Sequence, residues 1–271
     1  MEFVDTHCHI QSAGTNAGER STAEAWAKRP DLTREILVTE AVTEGVSNVV
    51  CVGCDLADSQ LAVDFVQSQV GAWASIGIHP HEASRYVDDE ASWAEFAALA
   101  VSPKVVAIGE CGLDFFYNHS VKADQIEMLN RQLALAQEHN LPLIFHVREA
   151  YDDFWPIFEK YPGLTGVLHS FTDTEANMRR AVELGLYIGV NGIATFAKNP
   201  EQIAMYKAIP LENLVLETDA PFLTPTPYRG TVNEPKHIVT VAKFLSQLHN
   251  VALPELAAAI TANANNLFGL K

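Results

Sequence analysis

Eight short, apolar, β-rich runs recur along this chain, and stretches of helical periodicity occupy the intervals between them. The runs are Phe3–His9, Asn48–Gly53, Ala72–Ile78, Val105–Glu110, Pro142–Val147, Gly166–Ser170, Leu186–Asn191 and Leu214–Thr218. Helical patterning covers Thr33–Glu44, Leu56–Val70, Asp124–His139, Thr174–Leu184 and Pro254–Asn265, among others. Gly45, Gly71, Asn140 and Gly185 each follow a helical stretch, where a left-handed residue commonly ends a helix. Asp55 and Asp173 stand where N-caps are expected. Such alternation calls for parallel strand pairing through right-handed crossovers. Eight repeats suit closure better than an open sheet, so the spacing predicts an α/β chain folded as a single (β/α)8 TIM-type barrel over residues 1–271. The absence of a Gly-x-Gly-x-x-Gly after the first run weighs against a dinucleotide fold. The one irregular interval, Gln11–Leu32, is polar and rich in Gly, Ser and Thr, and is expected to be a long loop leaving the first strand.

An apolar fraction of 48% is enough for a sizeable core, and 19% charged residues is too few for a disordered chain. Lys and Arg number 18 against 34 Asp and Glu, a formal charge of −16. No overall basic footprint exists for gripping nucleic acid, so a polyanionic substrate has to be held locally. Cys51-x-x-Cys54 lacks a second pair and reads as reduced thiols beside a strand. No apolar run is long enough to span a membrane, and Met1–His7 lacks a basic leader pattern. A soluble, cytoplasmic monomer without an obligate protein partner is the expectation.

In a β/α barrel, chemistry is built at the C-terminal ends of the strands. The first run ends in His7-Cys8-His9, whose imidazoles share one face because side chains alternate along a strand. His79-Pro80-His81 follows the third run, Glu110 ends the fourth, His146-Val147-Arg148 the fifth, His169 the sixth, and Glu217-Thr218-Asp219 the eighth. His119, His139 and His249 fall in loops or helix ends, and His237 reads as structural. A single histidine at a strand end is ordinarily a hydrogen-bonded packing residue. Six ligand-type residues converging on one rim would be costly to bury unpaired, and a metal cluster satisfies them together. Six ligands exceed the needs of one ion, which points to two divalent cations. His7, His9 and Asp219 are assigned to one, His146 and His169 to the other, with Glu110 as the bridging carboxylate. Mixed imidazole and carboxylate ligands suit Zn, Mn, Fe or Ni, and Mg less obviously.

In this order the motifs resemble the TatD family of metal-dependent deoxyribonucleases. The matching pieces are Asp5-Thr-His-Cys-His9, Gly77-Ile-His-Pro-His81, Gly109-Glu-Cys-Gly-Leu-Asp114, His146-Val-Arg-Glu149, His169-Ser-Phe171, Glu217-Thr-Asp-Ala-Pro221 and Leu223-Thr-Pro-Thr-Pro-Tyr-Arg-Gly230. The resemblance spans nearly the whole chain. It implies a barrel of the metal-dependent hydrolase superfamily, two divalent ions (Mg, Mn or Zn), and cleavage of DNA phosphodiesters, in several members from the 3′ end. A single-stranded or end-frayed DNA substrate follows from it. Relatives acting on D-aminoacyl-tRNA leave another ester or amide as the alternative. Two departures stand out: the interval after His9 is longer than usual, and Cys111 and Val147 replace residues that are commonly Ile and Ser or Cys.

Paired cations clamp phosphoryl oxygens and acidify water, and Asp219 is the candidate to orient that water or take its proton, beside Glu110 as the second catalytic carboxylate. Glu217 reads equally as a catalytic group and as a partner for another ligand. Arg148 and Arg229 suit a bidentate phosphate contact, and His79 and His81 are candidate donors to phosphate or sugar. Phe115, Phe116, Tyr117 and Phe171 either stack a base or close the core.

Overall fold

The computed structural model describes residues 1–15, 17–117 and 119–270. In chain order the elements are β1 (Phe3–Cys8), α1 (Arg20–Trp26), α2 (Arg34–Thr43), β2 (Val46–Val52), α3 (Leu56–Gln67), β3 (Ala72–Ile76), α4 (Ala83–Tyr86), α5 (Glu90–Ala98) and β4 (Val105–Asp114). Then follow α6 (Lys122–His139), β5 (Leu143–Arg148), α7 (Tyr151–Phe158), β6 (Gly166–Leu168), α8 (Glu175–Glu183), β7 (Tyr187–Val190), α9 (Pro200–Ala208), β8 (Leu214–Leu216), α10 (Ile238–His249) and α11 (Leu253–Phe268). The eight strands form one sheet in the order β1 to β8, the strand order of a (β/α)8 barrel and the class expected from the sequence.

Two compact units make up the chain: Met1–Val50 with His169–Lys271, and Cys51–Leu168. Within the first, β7 and β8 pair in parallel, and β1 runs beside β8. That seam is made by the parallel Cys8–Ala220 bridge and by Thr6 Oγ1, which donates to the Leu216 carbonyl at 2.9 Å. Ile260, Leu256 and Ala264 of α11 are buried on this unit's core. Within the second unit β3, β4, β5 and β6 pair successively in parallel. Phe145 of β5 meets Phe154 of α7 edge to face at 5.0 Å, the aromatic heart of that core.

Local chemistry sets the element ends. Asp55 caps α3 by accepting from the Asp58 N–H at 2.8 Å. Thr174, not Asp173, caps α8, its hydroxyl accepting from Asn177 N–H at 3.2 Å, while Asp173 takes the Asn177 side-chain amide at 2.7 Å. Gly45, Gly71, Asn140 and Gly185 all have positive φ, as the sequence suggests. The interval Gln11–Leu32 differs from the expected loop: it contains α1, whose first turn is capped by the Glu19 carboxylate on Ser21 and Thr22. Trp26 at its end is buried, and its indole donates to the His9 carbonyl at 2.9 Å. One tryptophan therefore fastens a polar segment to the end of β1. The four cysteines are buried free thiols. Among the described residues no helix is long and apolar enough to cross a membrane.

Candidate metal centres

Each unit gathers its own set of ligand-type side chains at strand ends. In the first, His7 lies on β1 and His9 just after it, His169 follows Leu168, and Asp219 lies three residues past β8. The Nε2 atoms of His7 and His9 are 3.1 Å apart, and Asp219 Oδ1 lies 3.6 and 3.3 Å from them. The His7 and His169 rings stack at 3.8 Å. Ligand atoms of His7, His169 and Asp219 all fall within 4.8 Å of one another. The sequence assigns His169 to the ion of His146; within its own unit its ligand atoms lie near those of His7 and Asp219.

Backbone geometry aims these groups. Asp219 and Ser170 both adopt left-handed conformations, φ 58° and 49°, at a cost of about 1 kcal/mol or more each for non-glycine residues. The Asp219 N–H then donates to the His7 carbonyl at 2.8 Å, locking the two ligand-bearing strand ends together. Asp5, fully buried, clamps the same seam by accepting from Thr218 N–H at 2.8 Å and the Thr218 hydroxyl at 2.5 Å. Burial drives its pKa up to about 8, against those hydrogen bonds. Glu217 serves His169: its Oε1 lies 3.0 Å from His169 Nδ1 and accepts from Ser170 N–H at 2.7 Å and Asn191 Nδ2 at 3.0 Å. The His169 contact is an ion-pair distance and not an aligned hydrogen bond, so it places a carboxylate beside the ring without fixing its tautomer. Burial pushes the Asp219 pKa up, but the His9 hydrogen bond and the nearby imidazoles outweigh it, and the net shift is downward.

In the second unit the side chains come from the ends of β3, β4 and β5. Strand β4 extends to Asp114, past the expected end at Glu110, because it is bulged: Ile108 pairs with Leu143 but Cys111 with Phe145, three residues against two. Gly109 and Gly112 make this possible at φ 155° and 150°; a Cβ on Gly112 would lie 1.9 Å from the His146 carbonyl oxygen. Glu110 Oε1 sits 2.9 Å from His146 Nδ1 and 3.6 Å from His79 Nε2. The other nitrogen of His146, Nε2, lies 3.0 Å from Asp114 Oδ2, which also takes His81 Nε2 at 3.0 Å. Asp114 was quoted in a motif but given no role from the sequence. Here it is a buried carboxylate joining two imidazoles, which with the Tyr117 N–H hold its pKa well below the usual range despite burial.

Proton counting tests the fit to a cation. Neutral imidazole carries one N–H. With the His146 Nε2–H given to Asp114, a neutral ring would set the Nδ1 lone pair against a carboxylate oxygen at 2.9 Å, a contact relieved by a second ring proton or by a cation held by both atoms. In the first unit the two imidazole nitrogens 3.1 Å apart can share one ring proton or, beside Asp219, ligate a cation together. Both donor sets therefore fit a divalent cation. His79 is different. Burial lowers its pKa well below the ordinary value, so the ring is neutral. Its Nδ1 accepts the His81 N–H at 3.1 Å, which leaves the proton on Nε2 as a donor rather than a lone pair for a metal. His81 is a quarter exposed. Arg148 stands over the rings of Phe116 and Tyr117 at 4.1 and 4.7 Å, and Arg229, in the other unit, over Phe196 at 3.6 Å.

Two glutamines of α6, seven residues apart and so on one helix face, support the second unit's strand ends. Gln132 bonds both backbone groups of Ile78, at 2.8 and 3.0 Å, immediately before His79. Gln125 does the same for Asp114, at 2.8 and 3.1 Å. Both are fully buried and stand in for a missing strand neighbour. Their sequence signal, polar residues on an otherwise apolar helix stripe, was available but not read.

Comparison with known proteins supplies the family. The profile of TatD related DNases matches residues 4–269 and so spans both units. An uncharacterized metal-dependent hydrolase of Bacillus subtilis, YabD, is 34% identical over 270 residues, 98% of either chain. The 3′-5′ ssDNA/RNA exonuclease TatD of Cronobacter sakazakii is 38% identical over 247 residues, covering 88% of this chain and 92% of that one. The crystal structure of YjjV, a TatD homolog of Escherichia coli, superposes with a TM-score of 0.84 at 27% identity, over 99% of this chain and 98% of that one. With a family profile matched almost end to end and ligand sets at the strand ends of both units, the chain belongs to the TatD related DNase family.

Proposed function

We propose that this protein is a divalent-metal-dependent phosphodiesterase that removes nucleotides from the 3′ end of single-stranded or end-frayed DNA. The observation that carries this reading is the His146 Nδ1–Glu110 contact at 2.9 Å with the other ring nitrogen on Asp114, a donor set that fits a divalent cation. A relative named as a 3′-5′ ssDNA/RNA exonuclease supplies the substrate class and polarity.

Two ions is the proposed count, one for each set. His7, His9, His169 and Asp219 hold the first, and Glu110 and His146 the second; Mg, Mn and Zn are the ions to test. The chemistry a divalent ion supplies there is Lewis acidity towards a phosphoryl oxygen and a lowered pKa for water. The chain's own groups do the rest. Asp219, kept ionised by its imidazole neighbours, orients the attacking water and takes its proton. Glu110 is the second catalytic carboxylate. His79, neutral with Nε2–H outward from its bonded nitrogen, donates to a phosphate oxygen, and His81 offers the neighbouring contact. Arg148 and Arg229 bind phosphate by charge-assisted hydrogen bonds. Glu217 orients His169 and takes no part in proton transfer.

A 5′-labelled single-stranded oligonucleotide incubated with chelator, Mg, Mn or Zn tests the proposal. The expected product is a ladder shortening from the 3′ end with added metal and none with chelator. Shortening from the other end overturns the polarity. No cleavage under any metal, alongside turnover of D-aminoacyl-tRNA, would transfer the site to carboxylic ester chemistry.

A further inference from the structure

The turn that follows β4 exposes two aromatic rings that the metal-ligand sets do not account for. Phe116 and Tyr117 are 48% and 51% exposed, although rings of this size are normally covered. Their backbone is nevertheless held firmly. Both N–H groups donate to Asp114 Oδ1 at 3.0 Å, while Oδ2 of the same carboxylate takes His81 and His146. One buried side chain thus sets the aromatic turn and the imidazoles in a common frame.

The rings meet edge to face at 4.8 Å and 89°. Tyr117 also lies parallel to His119, 15° between planes, and edge-on to His81 at 5.6 Å. The Arg148 guanidinium contacts both ring faces, and among the described residues no carboxylate pairs with it. Its donors are therefore not committed to a protein acid. Of the other two aromatics singled out in the sequence, Phe171 is buried and Phe115 half-buried, so Phe116 and Tyr117 are the more open rings.

We infer that the Phe116–Tyr117 turn is a stacking subsite for an unpaired nucleobase, with Arg148 taking the phosphate of that nucleotide. This deepens the phosphodiesterase reading and rests on it. Every base offers a π-face to a ring, so such a site tolerates any sequence. A base inside a duplex keeps both faces covered by its stacked neighbours, whereas an unpaired base near a strand end can leave them. The subsite accordingly selects single-stranded or frayed ends.

The test is a cycle that varies protein and substrate together. Wild type, Phe116→Ala/Tyr117→Ala and the conservative Phe116→Tyr/Tyr117→Phe are assayed for kcat/KM on single strands in which one abasic residue is stepped through the terminal positions. In wild type, an abasic residue at one position should lower kcat/KM on the order of tenfold to a hundredfold. The alanine pair should lose a comparable factor on the intact strand and at most about twofold more on the abasic one, while the conservative pair should keep the wild-type pattern. An equal abasic penalty in wild type and the alanine pair, or no penalty at any position, overturns the subsite. Bis(p-nitrophenyl) phosphate separates the two levels of the argument. Wild-type turnover of that ester without oligonucleotide cleavage overturns the subsite alone, and turnover of neither overturns the phosphodiesterase reading with it.

Discussion

Replacing Gln132 by methionine keeps the length of the side chain but removes the two hydrogen bonds that hold Ile78. Gln132 and Ile78 are both fully buried, so neither backbone group of Ile78 gains a water in exchange. An orphaned buried donor or acceptor costs about 1–3 kcal/mol, so the pair costs ~2–6 kcal/mol, with about 1 kcal/mol recovered from the apolar surface that methionine buries. The net loss, ~1–5 kcal/mol, is large beside a total stability of about 5–15 kcal/mol. At roughly 2 °C per kcal/mol for a chain of this size, Tm should fall by about 2–10 °C. Urea unfolding should show a lower midpoint at unchanged slope. Gln132→Glu retains an acceptor for the Ile78 N–H but no donor for its carbonyl. Since the next residue is His79, substrate KM should rise in both variants without a matching loss of the first unit's metal. A loss below about 1 kcal/mol in Gln132→Met would refute the view that these bonds replace a strand neighbour.

Glu110→Ala should abolish metal-dependent cleavage and lower the bound-metal stoichiometry while circular dichroism stays native; turnover with full metal content would remove Glu110 from the machinery. Arg148→Ala deletes a charge-assisted contact worth about 1.5–3 kcal/mol, so KM should rise on the order of tenfold to a hundredfold with metal affinity unchanged, and parallel losses in both would count against a phosphate contact. His237 is a third, pH-linked case. Burial, then the Lys236 charge, push its pKa down to about 4, whereas the unfolded chain protonates it near 6.5. Between those values the unfolded state binds more protons, so its contribution is complete above about pH 6.5 and declines as pH falls towards about 4, by at most ~3 kcal/mol and less with solvent screening. The urea midpoint of His237→Gln should fall less than that of wild type between pH 7 and pH 5; parallel curves would reject the assignment.

The ligand sets were legible wherever alternation along a strand controls direction. His7 near the end of β1 and His9 just after it bring their Nε2 atoms 3.1 Å apart, as alternation along a strand predicts. Reasoning by alternation weakened where regular strand geometry stops. His79 lies beyond β3 in a Pro80 turn, so its tautomer, set by the His81 N–H, is a turn property. Asp114 escaped notice because the bulge around Glu110 carries β4 four residues past its expected end, and a bulge is invisible to a two-residue period. Helix α1 was hidden by composition: its polar face dominates the interval, and its anchor is the single residue Trp26. His169 is grouped by strand adjacency with His146; its ring also stacks on His7 at 3.8 Å, beside the left-handed Ser170 and Glu217, a contact that strand order alone does not reveal.

Charge ties these particulars together. A chain of net charge −16 repels a polyanion that comes near it, a repulsion largely screened beyond about 8 Å at physiological ionic strength, and can attract it only through local positive groups. Most arginines here cannot serve, because they are spent on acids: Arg29 on Asp31, Arg179 on Glu175, Arg20 on Glu24. Arg148 and Arg229 instead rest on aromatic faces. A ring orders a guanidinium through cation–π attraction without cancelling its charge, as a carboxylate would. Stacking a base on Phe116 and Tyr117 adds binding free energy that the surrounding negative field does not diminish, since the base is uncharged. An acidic protein that handles a strand end is thus served better by aromatic neighbours for its free arginines than by additional lysines on its surface.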